Sequence, residues 1–168
     1  PPQDNLLFIT GGHNGLSRLS ATEIYPRSSN CSPPSLPFDR HAHTTFVTSE
    51  PTALVATCGG YNEDGDTDSS CLVLDPINQR WDESRMGSLT MKRAYAAAAT
   101  LDHIGVFIVG GDASNNPRTS EFLAAGQMQW QEGPALPVDM TSPCAVTISP
   151  TSFLSIHRTH VREFDAAI

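Results

Sequence analysis

Long apolar runs are missing from this sequence. No segment approaches the roughly 20 residues that a membrane-spanning helix needs, so neither such a helix nor an intact signal peptide is read within these residues. Positive charge is scarce too. Eighteen Asp and Glu face ten Lys and Arg, for a formal net charge of −8, and the basic residues are scattered rather than drawn into a stripe. Nucleic acid, whose binding rests on phosphate neutralisation, and an anionic membrane surface are therefore excluded as expected partners. There is no G-x-S-x-G nucleophile elbow, and no Ser and His pattern that sets a triad.

What is present is punctuation. Twelve glycines and thirteen prolines in 168 residues, with 39% hydrophobic residues, leave little room for long helices and predict a globular chain of short strands and turns. Four cysteines, Cys31, Cys58, Cys71 and Cys144, and the acceptor triplet Asn30-Cys31-Ser32 in a Pro/Ser-rich stretch, suggest glycosylation at Asn30 and a secreted, extracellular setting. The chain opens Pro1-Pro2-Gln3, and reads as a trimmed piece of a longer product.

A glycine pair ends an apolar run three times: LLFITGG (Gly11, Gly12), LVATCGG (Gly59, Gly60) and VFIVGG (Gly110, Gly111), at spacings of 48 and 51 residues. A polar loop and a second short run follow each pair, ATEIY at 21–25, SCLVLD at 70–75 and TSEFLA at 119–124, so each unit contains a hairpin. A marked turn then leads into the next apolar run, in SLPFDRHAHTTF, MGSLTMKRAYAAAATL and PALPVDMTSPCAVTI. Trp81 and Trp130 precede that turn in units two and three, and unit one has no Trp there. A fourth unit begins and decays: SFLSI at 152–156 stands at the glycine position, with Ser155 and Ile156 in place of the pair, and VREFDA follows.

A period near 50 residues in the order strand, Gly-Gly, strand, Trp resembles the kelch-repeat family. The resemblance implies an all-β, kelch-type β-propeller with about three four-stranded blades and part of a fourth, in units of roughly 1–39, 40–88, 89–137 and 138–168. The glycines fit the role of a backbone with φ > 0 that approaches a neighbouring blade closely. A phosphate loop needs a helix N-terminus and a Lys-Ser/Thr or a third spaced glycine, which Asp112-Ala113-Ser114 does not supply. Residues 94–99, AYAAAA, have helix propensity, but the repeat register assigns them to a strand. A six-bladed ring needs roughly 300 residues, about twice this chain. The open edges therefore call for the remainder of the propeller, a second copy, or a partner protein.

Cys58 and Cys71 flank one hairpin loop and should face each other as a disulfide. Asp64, Asp66 and Asp68 alternate as in a calcium loop, but Ser69 stands where that loop needs Gly, and its twelfth residue, Asp75, is carried away along a strand. A solvated acidic turn is the simpler expectation. Alternation puts His41 and His43 on one strand face, yet zinc requires further ligands, and His157 and His160 belong to another unit. The galactose-oxidase relatives of kelch propellers are copper enzymes that use tyrosines, one cross-linked to cysteine, and histidines. Here Tyr25, Tyr61 and Tyr95 lack the companion motifs. No catalytic residue and no cofactor are expected. The functional expectation is a non-enzymatic, extracellular protein-binding or scaffold module, with a matrix-like structural component or a copper enzyme as alternatives. Its contacts are expected in the loops after the glycine pairs, at His13, Asn14, Tyr61, Asn62, Asp112 and Asn115.

Overall fold

A computed structural model describes residues 7–26, 32–48, 53–112, 117–157 and 160–166. The fold is all-β, with thirteen strands among these residues and a single 3-10 turn at Glu83–Arg85. The strands form four antiparallel sheets, each a meander of consecutive strands. Sheet I holds β1 (Leu7–His13) and β2 (Arg18–Tyr25). Sheet II holds β3 (Thr44–Val47), β4 (Val55–Cys58), β5 (Cys71–Asp75) and β6 (Arg80–Asp82). Sheet III holds β7 (Ala97–Leu101), β8 (Gly105–Val109), β9 (Ser120–Ala124) and β10 (Gln131–Glu132). Sheet IV holds β11 (Cys144–Ser149), β12 (Ser152–His157) and β13 (His160–Asp165).

Two sheets, rather than three, are four-stranded. The stretch after β2 carries Pro33, Pro34 and Pro37, which have no N–H to give to a ladder. It meets sheet I through separate bonds, from Leu36 N to Ser20 O, from Arg40 N to Leu19 O and from Gly12 N to Arg40 O, rather than through a ladder. The alanine-rich segment is a strand from Ala97 onward and not from Ala94, because Tyr95 at φ +56° turns the chain before it; beyond that turn its small side chains lie between sheets II and IV. Thr100 Oγ1 donates to Val47 O, and Thr147 Oγ1 donates to Thr100 O.

The sheets stack in sequence order, and the two middle ones bury both faces. Phe46, Ala56, Cys58, Cys71 and Val73 on one face of sheet II bury against Val106, Ile108, Leu123 and Trp130 of sheet III. The opposite face of sheet III, with Ala97, Ala99, Phe107 and Val109, packs on Ala145, Phe153 and Phe164 of sheet IV. Sheets I and II meet through Thr10 and Thr45, whose hydroxyls lie 2.9 Å apart, and through the cluster of Leu36, Leu72 and Trp81. Trp81 Nε1 donates to Pro34 O at 3.0 Å.

Each junction is fastened by the glycine pair. The amides of Gly12, Gly60 and Gly111 donate to the carbonyls of Arg40, Arg93 and Met140 at 2.7, 2.8 and 2.7 Å. Gly59 has φ +68°, and a Cβ there would stand 2.5 Å from the Arg93 carbonyl oxygen. Only glycine satisfies both conditions. In sheet IV the register corrects the sequence alignment. Thr44 pairs with Cys58, Ala97 with Val109 and Cys144 with Ile156, so the residue at the first glycine position is His157, not Ser155 or Ile156.

Arg40 and Arg93 are buried to 0% and 1% exposure and act as equivalent bolts. The Arg40 guanidinium donates to Gly59 O, Ser70 O and Asp68 Oδ2, at 2.7, 3.0 and 2.8 Å. That of Arg93 donates to Gly110 O at 2.7 Å and, through Nη2, to Glu121 Oε1 at 2.9 Å. Sheet IV, without the glycine, has Met140 at the arginine position, where Ser155 Oγ lies 3.4 Å from the Met140 sulfur.

Candidate functional site

The residue after each glycine pair emerges at the same end of the stack. These residues are His13, Tyr61 and Asp112, and two residues of the following turns, His41 and Tyr95, lie between them. Backbone bridges pair His41 with Tyr61 and Ala94 with Asp112, which fixes the spacing. Ring centroids are 5.6 Å apart for His13 and His41, 5.1 Å for the stacked His41 and Tyr61, and 5.9 Å for the edge-on Tyr61 and Tyr95. The Tyr61 hydroxyl reaches Asp112 Oδ2 at 3.5 Å. The result is one polar aromatic row crossing three sheets.

Tyr95 is the most unusual member. It adopts φ +56° while the residue stays 48% exposed, and its amide donates to Ala42 O of the preceding unit at 2.8 Å. Left-handed backbone at a non-glycine aromatic residue is costly, and such strain concentrates at functional sites. Partial burial, with Arg18 and His13 nearby, lowers the His41 pKa. Burial, then Asp112 and Tyr95, raises that of Tyr61. Both shifts favour the neutral ring, so His41 and Tyr61 present uncharged, stacked faces beside Asp112. Such a surface suits a partner that brings apolar or cationic side chains to ring faces.

The other candidates are placed differently. Asn14 Oδ1 accepts from the amides of Leu16 and Ser17 at 2.9 and 2.8 Å, and Asn62 Oδ1 accepts from those of Asp64 and Asp66 at 3.1 and 2.9 Å. Both side chains hold their own turns rather than face a partner. Asn115 and Asn30 lie outside the described residues. Cys58 and Cys71 form a disulfide between directly paired positions, with Cα atoms 4.2 Å apart. Cys144 is a free, exposed thiol.

The three alternating aspartates are not gathered around one point. Asp68 is tied to Arg40 and accepts from Ser69 N and Ser70 N, while Asp64 and Asp66 sit in the turn held by Asn62. Asp75 caps its own turn through Ile77 N and Asn78 N. His41 and His43 also part company, because Ala42 at φ +54° breaks the alternation expected of a strand. His41 joins the row, and His43 turns to Thr10 Oγ1 at 2.9 Å. Among the described residues no three His, Cys, Asp or Glu side chains converge as a metal site.

The sequence marks His13, Tyr61 and Asp112 as contact candidates, but offers His41 only as a weak zinc ligand and Tyr95 only among the tyrosines of a copper enzyme, and it gives no role to the buried arginines. The signal was there: Leu36, Leu89 and Leu136 each stand four residues before Arg40, Arg93 and Met140, in phase with the glycines. No protein-family model and no curated protein matches the chain.

Proposed function

We propose that the chain is a segment of a kelch-type β-propeller that acts outside the cell as a non-enzymatic protein-binding module, with the row His13, His41, Tyr61, Tyr95 and Asp112 as its contact surface. The observation that carries this is the row itself, in which side chains from three successive repeats converge on one exposed line. The extracellular setting is supported by the Cys58–Cys71 disulfide. No helix among the described residues is long and apolar enough to cross a membrane.

A binding role is favoured over a copper oxidase by the surroundings of the tyrosines. Among the described residues the ring and hydroxyl contacts of Tyr61 and Tyr95 run to each other, to His41 and to Asp112. Tyr25 lies at the opposite end of its hairpin from His13. Cys58 and Cys71, bonded to each other, are not free to cross-link to a tyrosine.

One observation favours a second reading, stacking into a larger ring or assembly. Val146, Ile148, Ile156 and Val161 form an exposed apolar face on sheet IV, and the corresponding faces of sheets II and III are covered by the next sheet. Leu7, Ile9 and Tyr25 are exposed on sheet I. Further copies of the chain, or more of its own propeller, would cover these faces.

Affinity capture from extracellular medium tests the contact surface. A protein retained by the wild type and lost from Tyr61→Ala/Tyr95→Ala, at unchanged melting temperature, is the expected result. Equal retention by both would overturn the assignment.

A further inference from the structure

The aromatic row carries unlike charges at its two ends. Arg18 stands opposite His13 across the β1 and β2 hairpin, and its guanidinium donates to Glu63 O in the turn that follows Tyr61. At the other end Asp112 is bridged to Ala94, the residue before Tyr95, and its exposed carboxylate lies 3.5 Å from the Tyr61 hydroxyl. The charges are felt along the row: burial, then Arg18, lowers the His41 pKa, and burial, then Asp112, raises that of Tyr61. Asp68 and Glu121 are matched by Arg40 and Arg93, whereas Asp112 joins no ion pair among the described residues.

Two tyrosines adjoin this unmatched carboxylate. The rings of Tyr61 and Tyr95 meet at 69° with centroids 5.9 Å apart, and Tyr95 is 48% exposed. Tyr61 follows β4 and Asp112 follows β8, so the corner lies between sheets II and III, the two four-stranded sheets. A tyrosine face attracts a cation, and a carboxylate beside it fixes where that cation sits. Arginine suits both groups at once, because its guanidinium is planar, stacks on rings and forks to a carboxylate. At the His13 end the same group would meet the like charge of Arg18. A net charge of −8 draws a basic segment toward the surface.

We propose that the protein bound along the row places an arginine side chain against Tyr61 and Tyr95, with its guanidinium paired to Asp112. This rests on the reading of the row as a protein-contact surface, and adds the chemistry of the partner and its direction: the cation lies at the Asp112 end, away from Arg18.

Two probes separate charge from shape: N-acetyl-arginine methylamide, and its citrulline counterpart, which keeps a planar head group without the charge. The full chain, carrying isotope-labelled tyrosine, is titrated with each and followed by NMR. Arginine should shift the ring signals of Tyr61 and Tyr95 saturably at millimolar concentration, and citrulline should bind about tenfold more weakly. Tyr25, paired with Leu7 at the far end of its hairpin, should not move. Asp112→Asn should remove the preference for arginine, and high salt should weaken it. Equal responses to the two probes, a preference that survives Asp112→Asn, a Tyr25 shift as large as the others, or no shift in either ring overturns the proposal. Capture from extracellular medium tells this failure from that of the contact surface. A protein lost from Tyr61→Ala/Tyr95→Ala but kept by Asp112→Asn overturns the arginine alone. Equal retention by the wild type and the double tyrosine variant overturns both.

Discussion

His43 is a neutral side chain held in a place where charge is costly. Burial, beside Arg40 and His41, lowers its pKa to about 4, whereas an unfolded histidine titrates near 6.5. The unfolded chain therefore binds a proton that the folded chain refuses. Stability from this residue is full above pH 6.5 and is lost as the pH falls towards 4, by roughly 3 kcal/mol. Thermal melts of the wild type and His43→Gln across that window should show a shallower dependence in the variant. Equal slopes would remove His43 as the cause. Arg93 makes a different demand. Replacing it with methionine, the residue sheet IV uses at that position, leaves the buried Glu121 without its cation and should cost about 3–5 kcal/mol in denaturant unfolding. Arg80→Met, which breaks a pair whose cation is 62% exposed, should cost no more than about 1 kcal/mol.

Elements in this chain are set by features of very different visibility. Strands β1, β2, β4, β5, β8 and β9 could be placed from their apolar runs because glycine pairs and polar loops bound them, and the Cys58–Cys71 pairing followed from the hairpin. Opening that disulfide with Cys58→Ala/Cys71→Ala frees a loop of separation 13 and should cost about 3 kcal/mol. Chemical denaturation with and without the change measures it. The candidate site was half visible. His13, Tyr61 and Asp112 follow glycine pairs, so position marks them. His41 and Tyr95 owe their place to left-handed turns at Ala42 and Tyr95, and no glycine or asparagine in those positions announces such a turn. The arginine bolts were hidden for another reason: Arg reads as a surface residue until its hydrogen-bond partners, here backbone carbonyls from another strand, are in view. Gly59→Ala should be more damaging than Gly15→Ala. A Cβ at Gly59 meets the Arg93 carbonyl, whereas at Gly15 it meets nothing within 4 Å, and both positions have positive φ. A melting temperature lowered equally by the two changes would mean that backbone strain alone, not the sheet junction, sets the requirement.

At the scale of the whole molecule, four short sheets too small to be stable singly form one body, because each buries a face on its neighbour and each glycine pair ties one junction. That serial arrangement is also what brings His13, His41, Tyr61, Tyr95 and Asp112, spread over a hundred residues, onto one line. Among the described residues it leaves two apolar end faces, and each is a place where more polypeptide fits. The central functional claim is that the aromatic line contacts protein. Site-specific incorporation of a photo-cross-linking phenylalanine analogue at Tyr95, followed by irradiation in extracellular medium, tests it most directly. A discrete protein adduct that disappears when Tyr61→Ala and Asp112→Asn are introduced is the predicted result. No adduct, or one of unchanged yield in that background, would contradict it.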